Sequence, residues 1–163
     1  MKIDLLTHER ELDRPTNTGT VVLAATSSGE GVVKRIVWSR VHPDQSLVET
    51  LACGSAGLVY PSPEVDPVSE CQVIPLEQCE NFILLDATWQ EARKMYNRSP
   101  YLKTANRVVL DPVHASRYRL RRNQKADGLC TAECVVEILR GKGREQLASE
   151  VELAFDRFNA GLS

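Results

Sequence analysis

The chain has 163 residues, 42% of them hydrophobic, and a formal net charge of -2. That size suits one compact α/β domain and leaves little room for a second. No apolar run approaches the ~20 residues of a membrane span and the amino terminus lacks the apolar core of a signal peptide, so a soluble cytoplasmic protein is expected.

Residues 2–6 read as a short strand, followed by a polar loop over 7–11 and a turn at Asp13-Arg14-Pro15. Asn17, Thr18 and Gly19 precede the run Val21-Val22-Leu23-Ala24-Ala25. Its β-branched residues would suit a strand, but the Asn/Thr start and the alanines favour a capped helix. A strand is expected over 31–38, a short helix over 46–51, and a strand over 57–60 that runs into Pro61-Ser62-Pro63 and cannot continue. Residues 71–76 suggest a small strand. Next, the apolar residues Phe82, Ile83, Leu84 and Leu85 run into Asp86, Thr88 and Trp89, and a polar helix-forming segment extends to about Arg98, where Ser99-Pro100 stops it. Residues 107–110 form another strand ending in Asp-Pro. The segment 114–122 alternates basic with other residues, as a loop or edge strand presenting several Arg side chains together. A helix over 129–139 has Thr131 in capping position and Gly141 at its end. The last helix, over 145–158, aligns Leu147, Val151, Ala154, Phe155 and Phe158 on one stripe, which is core packing.

The charge is segregated. Arg93, Lys94, Arg98, Lys103, Arg107, Arg117, Arg119, Arg121, Arg122 and Lys125 stand in one segment against a single acid, Asp111. That segment carries an excess of nine positive charges and the rest an excess of eleven negative ones. Such a distribution makes one face attractive to phosphates. The five cysteines, Cys53, Cys71, Cys79, Cys130 and Cys134, include no C-x-x-C pair, which favours reduced thiols over a disulfide framework or a zinc site. Cys130 and Cys134 could share a helix face but have no nearby His partner, and His8, His42 and His114 show no metal spacing.

Three strand-to-polar junctions recur: Tyr60-Pro61-Ser62, Asp86-Ala87-Thr88-Trp89 and Leu129-Cys130-Thr131-Ala132-Glu133. In a largely parallel sheet their polar ends converge on one edge, where open α/β sheets bind ligands. A plain alternative is that Asp86 or Thr88 only caps the next helix. No Gly-rich phosphate loop and no G-x-S-x-G elbow is present, which disfavours ordinary nucleoside-phosphate and hydrolase chemistry.

The signature Leu85-Asp86-Ala87-Thr88-Trp89-x-x-Ala92-x-Lys94-Met95 resembles the DTW-domain family of tRNA-uridine aminocarboxypropyltransferases, named for Asp-x-Thr-Trp. Leu6-Thr7-His8-Glu9-Arg10-Glu11 with Asn17-Thr18-Gly19 resembles its opening block. Tyr60-Pro61-Ser62, Ser116-x-Tyr118-x-Leu120-Arg121 and Thr131-Ala132-Glu133 resemble the later ones, the last departing from the usual Leu-Glu-Ala. Members commonly begin with a cysteine-rich, zinc-binding segment; this chain begins at the block after it, so the resemblance carries no metal over.

The resemblance implies a single domain with a SPOUT-like α/β fold, a mostly parallel sheet flanked by helices, and a trefoil knot that holds S-adenosylmethionine. It further implies transfer of the 3-amino-3-carboxypropyl group to the ring imide nitrogen of a uridine in tRNA, leaving methylthioadenosine. Asp86, Thr88 and Trp89 are then the catalytic candidates, Asp86 as a base or as an orienting group; an indole at a helix start is also commonly a core anchor. Tyr60, Pro61, Ser62, Leu85, Ser116, Leu129, Cys130, Thr131 and Glu133 are the cofactor-binding candidates. Arg93, Lys94, Arg98, Arg117, Tyr118, Arg119, Arg121, Arg122 and Lys125 are the RNA-binding ones. A SPOUT-like methyltransferase and a catalytically inactive RNA-binding accessory protein are the rival readings, and a monomer or a homodimer is compatible with the charge pattern.

Overall fold

The computed structural model describes residues 1–27, 31–59, 73–110 and 129–161. Five parallel strands form one sheet: β1 (Lys2–Thr7), β2 (Val33–Val37), β3 (Ala56–Val59), β4 (Asn81–Asp86) and β5 (Arg107–Val108), in the order β2-β1-β4-β3-β5. Among the described residues six α-helices accompany them: α1 (Thr18–Thr26), α2 (Gln45–Ala52), α3 (Trp89–Asn97), α4 (Pro100–Lys103), α5 (Thr131–Gly141) and α6 (Glu145–Asn159), with 3-10 turns at Glu9–Glu11 and Leu76–Gln78. The expected α/β class with a parallel sheet is observed, and among the described residues no helix is long and apolar enough to cross a membrane.

The two central strands, β1 and β4, read as nearly continuous apolar runs because both faces of a parallel sheet are covered. Side chains alternate between the faces. Ile3, Leu5, Phe82 and Leu84 pack with Val22 of α1, Val135, Ile138 and Leu139 of α5, and Ala148, Val151 and Phe155 of α6. Leu6 and Ile83 point the other way, against Leu47 and Leu51 of α2, Met95 of α3 and Leu102 of α4. The expected stripe of the last helix is therefore core, with Val151 and Phe155 fully buried.

This alternation places the site. Continuing the register of Ile3 and Leu5, Thr7 belongs to the α1/α5/α6 face; so does Asp86, in step with Phe82 and Leu84, and Arg35, in step with Val33. Thr7 and Asp86 are register partners at the carboxyl ends of β1 and β4.

Two local expectations are corrected, and a third is borne out with an addition. Of the small strand expected over 71–76, the described part makes only one isolated parallel bridge, Val73 to Arg107; Pro75 follows, and a residue without an N–H cannot extend a ladder. The strand expected over 107–110 is two residues long, Arg107–Val108. Ser99-Pro100 does end α3, yet Pro100 at once begins α4, because proline is well suited to the first turn of a helix.

Candidate active site

Asp86 is 2% exposed and ends β4. Its carboxylate accepts four hydrogen bonds from residues far away in sequence. Oδ1 receives Asn17 Nδ2 at 3.0 Å and Thr131 Oγ1 at 2.9 Å. Oδ2 receives Thr7 Oγ1 at 3.0 Å and Arg35 Nη2 at 3.4 Å. Two carboxylate oxygens offer about four acceptor positions, so all are filled. The first turn of α1 closes the site from one side: a Cβ on Gly19 would lie 2.4 Å from Asp86 Oδ2. Gly19→Ala is therefore expected to push the carboxylate out of its donor set and lower stability by roughly 1–3 kcal/mol; equilibrium denaturation would check this, and an unperturbed variant would refute the close approach.

Asn17 links this node to a second one. Its Oδ1 caps α1 by accepting from Thr20 N at 2.8 Å, and also accepts from Arg35 Nη2 at 2.9 Å. Its Nδ2 bridges Asp86 and Glu11 Oε1, the latter at 3.0 Å. Glu11, 0% exposed, is paired with Arg14, and Arg14 forks onto Glu91 at 2.8 and 2.9 Å. The loop that follows β1 is thus tied to the start of α3. Among the described residues, the carboxylates of Asp86, Glu11 and Glu91 are thus gathered with the guanidinium groups of Arg14 and Arg35.

Thr88 is the N-cap of α3 in a reciprocal capping box: its hydroxyl accepts from Glu91 N, and Glu91 Oε1 accepts from Thr88 N at 3.1 Å. Burial would push the Glu91 carboxyl up, but the Arg14 guanidinium and the Thr88 backbone and hydroxyl override it and hold it down at about 2. A carboxyl depressed on folding contributes stability that is fully present above its ordinary value of 4.5 and fades as pH falls toward 2. Glu91→Gln is expected to remove this dependence: wild type should lose on the order of 2 kcal/mol more than the variant between pH 7 and pH 3 in denaturant titrations. Parallel losses would refute the assignment.

The junctions at Asp86 and Thr131 meet, as expected for a parallel sheet. Thr131 is not a cap, however; Cys130 occupies the N-cap position of α5, and this frees the Thr131 hydroxyl to reach Asp86. Glu133 turns back to accept from Cys130 N at 3.1 Å, and Cys130 O accepts from Cys134 N. The first turn of α5 is joined to that of α1 by Ala132 N donating to Thr18 Oγ1 at 3.1 Å. Leu85 points to the opposite face, against the α2/α3/α4 cluster. Trp89 is half-buried and belongs to neither core cluster. Tyr60, Pro61, Ser62, Ser116, Arg117, Tyr118, Arg119, Arg121, Arg122 and Lys125 lie outside the described residues.

Arg93 and Lys94 on α3 and Arg98 just past its end are exposed, and each is without an ion pair among the described residues. Arg107, counted in the basic segment, is instead 2% exposed and bonded to Tyr96, whose ring lies 5.0 Å from its guanidinium carbon. It is removed from that face. Reasoning from residue type missed Thr7, Glu11, Arg14, Asn17 and Arg35 as site members, although Thr7, Glu11 and Asn17 lie in the opening block that carried the resemblance. Among the described residues no group of three or more His, Cys, Asp or Glu could hold a metal ion.

A parallel α/β domain with a buried polar node where its central strands end defines the class. Within it, the model described as the DTW domain matches residues 1–162, and the chain belongs to that family. It is 29% identical over 147 residues to tRNA-uridine aminocarboxypropyltransferase 2 of Drosophila melanogaster, an alignment covering 85% of this chain and 55% of the relative. The chain thus spans about half the length of this curated relative. No solved structure matches it.

Proposed function

We propose that the protein is a tRNA-uridine aminocarboxypropyltransferase: with S-adenosylmethionine as donor, it places a 3-amino-3-carboxypropyl group on the ring imide nitrogen of a uridine and releases methylthioadenosine. The observation that carries the reading is the node at Asp86, where the family's opening block, Asp-x-Thr-Trp block and final block meet through Asn17, Asp86 and Thr131. The distant relative, named for this activity, adds support. A SPOUT-like topology with a trefoil knot belongs to the same proposal.

The residues present suit the donor. The carboxylate of Asp86 at the strand end suits a cationic ligand, and the absence of a side chain at Gly19 leaves that carboxylate against the first turn of α1. When bound, S-adenosylmethionine would supply an alkyl carbon made electrophilic by the sulfonium: the uracil imide nitrogen would take the carbon, the carbon–sulfur pair would return to sulfur, and the imide proton would leave to solvent. Asp86 orients and offsets charge. Accepting a proton would require it to shed one of its four donors, so the filled coordination supports positioning over proton abstraction. Cys130 and Thr131, at the start of α5, stand beside it to hold the donor. Thr88 fixes the start of α3 through its cap, and Trp89 lies next to it at the strand end.

Phosphates of tRNA would meet the exposed cations Arg93, Lys94 and Arg98. Replacing all three with glutamine is expected to weaken tRNA binding and flatten its dependence on log salt by roughly two to three units; an unchanged slope would move the RNA path elsewhere. The central test is incubation with unmodified tRNA and S-adenosylmethionine followed by mass spectrometry. Methylthioadenosine with aminocarboxypropyl-uridine is expected. S-adenosylhomocysteine would indicate methyl transfer, and tRNA binding without either product an accessory role; both would overturn the proposal.

A further inference from the structure

Among the described residues, Arg35 keeps hydrogen-bonding capacity beside Asp86 that the node does not use. Its side chain is 18% exposed and stands on β2 beside Thr7 and Asp86, on the same face of the sheet. Nε donates to Thr7 Oγ1 at 3.1 Å. Nη2 is shared among Asn17 Oδ1 at 2.9 Å, Thr20 Oγ1 at 3.3 Å and Asp86 Oδ2 at 3.4 Å. Nη1 has no partner among the described residues. One edge of the guanidinium is thus clamped by three elements, while the other keeps two N–H groups available at a fixed place.

We propose that Nη1 of Arg35 binds the carboxylate of the 3-amino-3-carboxypropyl chain, an assignment that rests on the function proposed above. A guanidinium suits a carboxylate in charge, and an Nη1 N–H offers it a charge-assisted hydrogen bond. Its single contact to Asp86 is the longest of that carboxylate's four, so a second anion is accommodated without displacing the first. Arg35 is partly buried behind the first turn of α1, within reach of a small ligand, whereas the cations suited to RNA phosphates lie exposed on α3 or just past its end. Anchoring the far end of the chain beside Asp86 fixes where its reactive carbon lies. Positioning of this kind distinguishes transfer of the chain from transfer of the methyl group on the same sulfur.

The test compares three ligands by calorimetry: S-adenosylmethionine, its decarboxylated analogue, and methylthioadenosine, which lacks the chain. Wild type is expected to prefer S-adenosylmethionine over the decarboxylated analogue by about 10- to 100-fold. Arg35→Gln should reduce that preference to within about threefold while binding methylthioadenosine as wild type does, which also reports that the variant is folded. Arg35→Lys should keep an intermediate preference. If wild type shows no preference, or Arg35→Gln retains it, the assignment is overturned while product formation leaves the proposed activity standing. Failure of wild type to bind S-adenosylmethionine or methylthioadenosine would overturn both.

Discussion

Asp86→Asn is expected to abolish the proposed aminocarboxypropyl transfer and to lower stability by roughly 3–5 kcal/mol, as losses at buried charged networks do. The substitution preserves shape and changes one oxygen into an NH2 group. Whichever oxygen is replaced, the new NH2 faces one obligate donor, Asn17 Nδ2 or Arg35 Nη2, and a threonine hydroxyl, Thr131 or Thr7, that must turn from donating to accepting. Arg35 also loses the only carboxylate with which it forms an ion pair among the described residues. Equilibrium denaturation separates the two losses from each other, because a variant that is folded at low temperature yet inactive assigns Asp86 a role in the reaction beyond assembly. Near-wild-type turnover would remove Asp86 from the mechanism.

Asn17→Asp is expected to be of similar size, roughly 3–5 kcal/mol, although it alters a residue that no single strand pattern singles out. The wild-type amide places its NH2 between two buried carboxylates, Glu11 and Asp86, at 3.0 Å from each. An aspartate would present an acceptor to both and add a third carboxylate beside Glu11 and Asp86. Like charges at such separations raise one another's affinity for protons. The sign follows: a carboxyl whose affinity is raised on folding destabilises increasingly as pH rises. The deficit relative to wild type should therefore be larger at pH 8 than at pH 5 in urea titrations, and a pH-independent deficit would refute the electrostatic account.

How far the sequence anticipates this architecture depends on the range of the signal. β1, β4, α3 and α6 are legible because each carries its period locally, and Asp86 is legible because an apolar run ends on it. The pairing of Thr7 with Asp86 is not, since a parallel register across 79 residues is set by sheet assembly rather than by local pattern. Glu11 shows the same limit. It sits between Arg10 and Leu12 in a polar loop and reads as surface, yet the 3-10 turn carries it to full burial against Asn17 and Arg14. Thr131 was expected to cap α5, and only the tertiary position of Asp86 determines that its hydroxyl serves another element. The isolated bridge at Val73 shows a short β-like composition overruled by one proline.

The hydrogen bonds to Asp86 also bear on the order in which the molecule assembles. Its donors come from β1, the loop before α1, β2 and α5, so the chain must close loops of 79, 69, 51 and 45 residues before this carboxylate is satisfied. Contacts of such separation form late and slow folding. During synthesis, the node remains incomplete until Thr131 has emerged and α5 has docked, and a nascent chain ending before that residue holds a desolvated acid short of one of its donors. Kinetic effects of substitutions in the node should accordingly fall mainly on the unfolding rate, with refolding little changed.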